Sequence, residues 1–185
     1  MSRLPDPIEN MDDRGKEIYD KLAGPRGGLS GMYLTLMNHP ELAEHVGYLG
    51  TFFRYTGLLR DENNLGDIRE LGIMATARSM GAAFVWEKHV VPARKAGLPD
   101  DVADQALNGD LVTADMKPLY LWVWQVARHV VDQENIPEKL QQNLIDEIGL
   151  KETLELVAVC GFYRFISTIV FCFDAPLPED DVPPF

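Results

Sequence analysis

The run from Leu154 to Phe173 constrains this chain more than any other feature. Leu156, Val159, Phe162, Phe165, Ile169 and Val170 spread over more than one stripe of a helix, so it is apolar around most of its circumference. A helix of that kind either crosses a bilayer or is covered by protein. Glu155, Tyr163, Arg164, Ser167 and Thr168 lie within the run, and charge at membrane depth is costly. The expectation is a soluble, all-α domain with this segment as a buried central helix or at a subunit interface, and with no membrane partner.

Glycine and proline divide the rest of the chain into helical pieces. Asp12 and Asp13 offer a cap to a first helix bearing Ile18 and Leu22 and closed by Gly24-Pro25; Gly27 to Gly31 reads as a flexible connection. Pro40 suits the first position of a helix reaching about Gly57, with Leu42, Val46, Leu49 and Phe53 at helical spacing. Further helices are expected from about Leu65 to Met80, from Ala82 to Ala96 with Gly97 at C′, and from Pro99 to Leu107. Thr113 opens a long one with Leu119, Trp122, Val126 and Val130 on one face, and Pro137 begins another with Leu140, Leu144 and Ile148. The last spans about Lys151 to Phe173. No stretch sustains strand alternation. The acidic, proline-rich tail from Ala175 to Phe185 cannot continue a helix, and is expected to lie extended over the surface or over a neighbouring subunit. A faint echo links Glu70-Leu71-Gly72-Ile73-Met74 with Glu155-Leu156-Val157-Ala158-Val159, compatible with two related helical halves.

A chain of 185 residues is about one domain long. Its net charge of -12, with basic residues scattered and never in a run, argues against nucleic acid. A small anion would have to be held by a few local arginines. Met1 to Asn10 is polar and contains proline, unlike a secretory signal; a cytoplasmic protein with reduced thiols is the expectation. Cys160 and Cys172 are twelve residues apart in one helix, or about 18 Å, beyond disulfide reach.

Two titratable residues stand on apolar helical faces. Glu70 has Ile73, Met74 and Ala77 as same-face neighbours, and His89 has Ala82, Val85, Trp86, Pro92 and Ala93. The ordinary readings are a carboxylate paired with Arg69 or Arg78 and a satisfied core histidine. The functional reading is a proton shuttle working near neutral pH. His39, His45 and His129 make no metal-ligand spacing with another His, Cys or carboxylate, so no metal site is expected. Gly24 to Gly31 lacks the lysine and hydroxyl of a phosphate-binding loop, and no serine sits in a nucleophile elbow.

The order of several motifs is more informative than any one of them. Arg69-Glu70-Leu71-Gly72-Ile73, then Trp86-Glu87-Lys88-His89, then Ala93-Arg94-Lys95-Ala96-Gly97-Leu98 resembles the carboxymuconolactone decarboxylase family, within the alkylhydroperoxidase D-like superfamily. Arg3-Leu4-Pro5, His39-Pro40-Glu41-Leu42-Ala43, Leu49-Gly50, Phe53-Arg54-Tyr55, Gly161-Phe162-Tyr163 and Ala175-Pro176-Leu177-Pro178 extend the likeness over nearly the whole chain. The resemblance implies a single-domain alkylhydroperoxidase D-like bundle of about seven to nine helices. It also implies a homo-oligomer, most often a trimer or a multiple of one, with a dimer as the other possibility.

The peroxidase branch carries Cys-x-x-Cys-x-x-x-His with a glutamate twelve residues before the first cysteine. Aligned on His89, that pattern places the glutamate on Glu70 and the two cysteines on Ala82 and Val85. A thiol peroxidase is therefore disfavoured, because no thiolate stands where one is needed. The decarboxylase-like branch needs neither cysteines nor a cofactor. It implies loss of CO2 from a carboxylated unsaturated lactone or related ring-cleavage acid, with His89 as acid-base residue and Glu70 orienting it. Arg54 would anchor the substrate carboxylate, and Trp86 and Tyr163 would line the pocket, although packing alone explains both. Isomerisation or hydration of an unsaturated acid on the same scaffold, and a non-catalytic small-molecule-binding oligomer, remain as alternatives.

Overall fold

The computed structural model describes residues 3–109, 116–175 and 183–185. Among these it contains nine α-helices and no strand: α1 (Asp13–Ala23), α2 (Gly31–Leu36), α3 (Pro40–Thr51), α4 (Gly66–Ser79), α5 (Ala83–Lys95), α6 (Asp100–Asn108), α7 (Pro118–Asp132), α8 (Glu138–Ile148) and α9 (Leu150–Cys172). Short 3-10 turns occupy Ile8–Asn10, Gly24–Arg26 and Asp61–Asn63, and a π-helical turn spans Phe52–Thr56. The all-α expectation holds.

Local chemistry accounts for most boundaries. The Asp12 carboxylate accepts the Gly15 N–H at 2.7 Å and caps α1. Pro40 takes the first position of α3, where its missing N–H costs nothing. Gly97 follows α5 at φ +98°, a left-handed conformation that glycine adopts without strain. The long seventh helix begins at Pro118; Thr113, expected to open it, lies outside the described residues. Instead of a plain connection, Gly27 to Gly31 leads into the short α2, absent from the expected set.

α4 lies at the centre, packed against α5, α7 and α9. Every residue from Gly66 to Ala77 except Asp67 is buried, so this helix has no solvent face. Leu71, Ile73 and Met74 are fully enclosed, each stabilising the fold by about 1.5–3 kcal/mol. Gly72 sets the distance to α9, since a Cβ there would stand 3.1 Å from Leu156 Cδ1 and 3.2 Å from Cys160 Sγ.

α9 divides its apolar circumference. Leu156, Val159, Phe162, Tyr163, Ile166 and Val170 are buried in the core, while Leu150, Leu154, Phe165 and Phe171 are exposed. Among the described residues α9 is the one helix long and apolar enough to cross a bilayer, and half of it is buried inside the chain. α3 differs from its expected stripe: Val46 and Phe53 face inward, but Leu42 and Leu49 are exposed. The inward face of α3 instead uses small residues, and Gly47 admits the Leu22 side chain of α1. Of the expected extended tail, 176–182 lies outside the described residues, and the Phe185 ring sits edge-on to Trp86 with centroids 5.8 Å apart.

Candidate active site

Glu70 and His89 come from two helices packed against each other, α4 and α5. Glu70 is completely enclosed and His89 is 5% exposed. Their side chains meet at 2.6 Å between Glu70 Oε2 and His89 Nδ1. The other carboxylate oxygen accepts from Arg69, from Nε at 3.1 Å and from Nη2 at 2.8 Å. Arg69 also donates to the Leu59 and Arg54 carbonyls and to Asp61, which uses its whole guanidinium. The ordinary reading of Glu70 as an arginine-paired carboxylate is therefore true together with the functional one. Arg78, the other candidate partner, instead donates to the Leu107 carbonyl.

Charge within this cluster is ordered by its neighbours. Burial works to raise the Glu70 pKa, but His89, Arg69 and Arg54 outweigh it and hold the carboxyl at about 2. Burial pushes the His89 imidazole below its usual range, and Arg54 and Arg69 add to that against the pull of Glu70. The resting pair is an ionised carboxylate and a neutral imidazole that donates its Nδ1 proton to Glu70. That tautomer leaves a lone pair on Nε2, the nitrogen available for chemistry.

His89 lines a cleft of about 220 Å³. This is smaller than the ~300–1,000 Å³ typical of drug-sized ligands. Around it stand Arg26, Tyr33, Arg54, Lys88 and Tyr163, and no carboxylate is among the lining residues described. Tyr163 packs its ring edge against the His89 imidazole at 4.8 Å and 86°. Burial raises the Tyr163 pKa, so the phenol keeps its proton.

The two arginines in the cleft differ in what they have left to offer. Arg26 donates to the Leu22 and Gly47 carbonyls, to Tyr33 Oη and to Thr51 Oγ1, and stacks on the Tyr33 ring. It is wall. Arg54, carried on the π-turn, has a buried Nε with no partner among the described residues. Burial opposes its charge, but Tyr163 and Glu70 more than offset this and its pKa is raised. A buried donor without an acceptor costs about 1–3 kcal/mol, which an anionic ligand would recover.

Of the five residues singled out from sequence, Glu70, His89, Arg54 and Tyr163 converge here. Trp86 does not. It is buried one turn away, against Phe185 rather than the cleft, while its neighbours Val85 and Lys88 line it. Ala82 and Val85, at the positions of the look-alike cysteines, are both buried apolar residues. Cys160 is enclosed on α9, where burial raises its thiol to about 12, and Cys172 lies exposed; neither lines the cleft. No group of three or more metal-binding side chains occurs among the described residues.

Tyr33, Arg26 and Lys88 were not anticipated, and no periodic or spacing signal marks them. No family model matches this chain, and no curated protein matches it significantly. Among the described residues, the strand-free bundle of nine α-helices is consistent with the general alkylhydroperoxidase D-like architecture.

Proposed function

We propose that the protein is a cofactor-free acid-base enzyme of the carboxymuconolactone decarboxylase type, acting on a small carboxylated unsaturated lactone or a related ring-cleavage acid that bears a second carboxylate. One observation carries the reading: a buried histidine held at 2.6 Å by a buried carboxylate lines a cleft that holds an unpartnered arginine nitrogen and no lining carboxylate. Burial alone would account for the pairing of His89, since buried polar groups are hydrogen-bonded; the open cation in the same cleft is what calls for a ligand. Arg54 takes the substrate carboxylate that stays. The carboxylate that leaves gives its C–C bonding electrons to the conjugated carbonyl and departs as CO2. His89, which first takes a proton from solvent at Nε2, gives it to the resulting dienolate carbon and returns to the neutral imidazole. Glu70 keeps the ring oriented and stabilises the imidazolium.

The neutral resting state of His89 favours a second reading, isomerisation. A neutral imidazole can take a proton from one carbon and return it to another with no net uptake. Decarboxylation needs a proton loaded first, which a bound anion promotes by neutralising Arg54. A panel of unsaturated lactones and aromatic-ring-cleavage acids separates the readings, with CO2 release and product NMR followed together. CO2 formed in step with substrate loss is the expected result. Rearranged product without CO2 supports isomerisation, and no turnover across the panel contradicts the enzymatic reading.

The same reading includes a homo-oligomer, a trimer or a multiple of one, with a dimer as the alternative. Leu150, Leu154, Phe165 and Phe171 on α9, and Leu42, Leu49 and Phe52 along α3 and the π-turn, are exposed. Leu150, Leu154 and Phe165 share one face of α9 by their spacing, and contiguous apolar patches on a protein surface mark interaction sites.

A further inference from the structure

Glu155 is a buried carboxylate on α9 that the reaction scheme does not use. It is also the residue that the internal sequence echo aligns with Glu70. Its two oxygens accept the N–H groups of Leu58, at 2.9 Å, and Leu59, at 3.0 Å, across nearly one hundred residues of sequence. The Leu59 carbonyl, on the far side of the same residue, accepts from Arg69 Nη1 at 3.0 Å. Arg69 then holds Glu70, and Glu70 holds His89. The turn that Glu155 grips also directly follows the π-turn bearing Arg54, whose own carbonyl is bound by Arg69.

We propose that Glu155 is a positioning residue for the Glu70–His89 pair, acting through the 57–59 turn and Arg69, and that it sets the position of Arg54 by the same grip. The proposal rests on reading Glu70 and His89 as the working pair. A merely structural role is the competing explanation, since a buried carboxylate bonded to two backbone donors also stabilises the fold. The two differ in what happens at His89. The charged and titratable groups facing it are Glu70 and Arg69 of α4, Arg54 of the π-turn, Tyr163 of α9 and Lys88 of its own helix. Loosening the turn draws Arg69 away from Glu70, which removes a cation and leaves the carboxylate free to act on the imidazole alone. Both changes favour the imidazolium.

The test is the NMR titration of the His89 ring in the full chain, without any substrate, so its outcome is independent of whether the catalytic reading succeeds. Glu155→Gln keeps one acceptor but sets an amide donor against a backbone N–H. Gly57→Ala perturbs the grip without altering Glu155, because the added methyl runs into the Glu155 carboxylate. Cys160→Ala is the control, a buried change on α9 whose thiol reaches the Gly72 carbonyl of α4 but none of the groups in this chain of contacts. The titration midpoint of His89 is expected to rise by about half a pH unit or more in both turn variants and to stay in place in the control. Folded Glu155→Gln and Gly57→Ala proteins with the wild-type midpoint would overturn the proposal. So would unfolding of both variants while Cys160→Ala folds, which would make Glu155 an element of stability alone.

Discussion

At the scale of single residues, the account turns on which nitrogen of His89 is free. Nδ1 lies 2.6 Å from an enclosed carboxylate, so nitrogen-15 NMR of the resting protein at pH 7 is expected to find the proton on Nδ1 and none on Nε2. A charged ring at that pH would contradict the assignment. Glu70 gives a prediction for stability. Its pKa is lowered from 4.5 to about 2 in the folded chain, so the stability that its ionisation contributes is present above pH 4.5. That stability is lost as pH falls through the folded value. The gap in melting temperature between wild type and Glu70→Gln should accordingly narrow from pH 5 towards pH 2, and a constant gap would show that the carboxylate charge contributes nothing. The positions of Glu70 and His89 were legible because both are titratable side chains on apolar helical faces. What Arg69 does was only half legible. Neighbouring positions on a helix point about 100° apart, and spacing does not reveal that a long guanidinium wraps back to the next residue.

At the scale of elements, α4 and the turn before it do most of the positioning. α4 is buried on all sides because Gly72 lets α9 approach, so Gly72→Val should force α4 and α9 apart. A cost of about 1–3 kcal/mol is expected from overpacking at such a contact. For a domain of this size that corresponds to a drop in melting temperature of roughly 2–4 °C per kcal/mol, measurable by thermal denaturation. An unchanged melting temperature would mean that the close crossing is not important. Most helix boundaries were readable from Asp12, Pro40, Gly97 and Pro137, since caps and breakers act locally. The π-turn at Phe52–Thr56 was not. Phe53-Arg54-Tyr55 looks like the continuation of an α-helix, and helical spacing does not distinguish a π-turn from an α-turn over so few residues. Leu42 and Leu49 misled for a related reason. They share the helical spacing of a core stripe, but the face of α3 turned inward is the one with glycine and alanine, where α1 fits.

At the scale of the molecule, the exposed leucines and aromatics of α3 and α9 should be covered by further copies of the chain. Sedimentation at micromolar concentration is expected to show a trimer, a multiple of it or a dimer, and a single species at 20.8 kDa would contradict that. The absence of a thiol at Ala82 and Val85 leads to a second expectation for the whole protein, that it will not couple peroxide turnover to a dithiol reductant. Sustained turnover at catalytic rates would refute it. Acid-base chemistry at His89 is decided by comparing wild type and His89→Ala on whichever unsaturated acid or lactone the wild type turns over, with circular dichroism confirming that both are folded. The acid-base account predicts that turnover falls by about 10²–10⁴-fold, the usual contribution of positioned proton transfer. A folded His89→Ala protein working at the wild-type rate would contradict it.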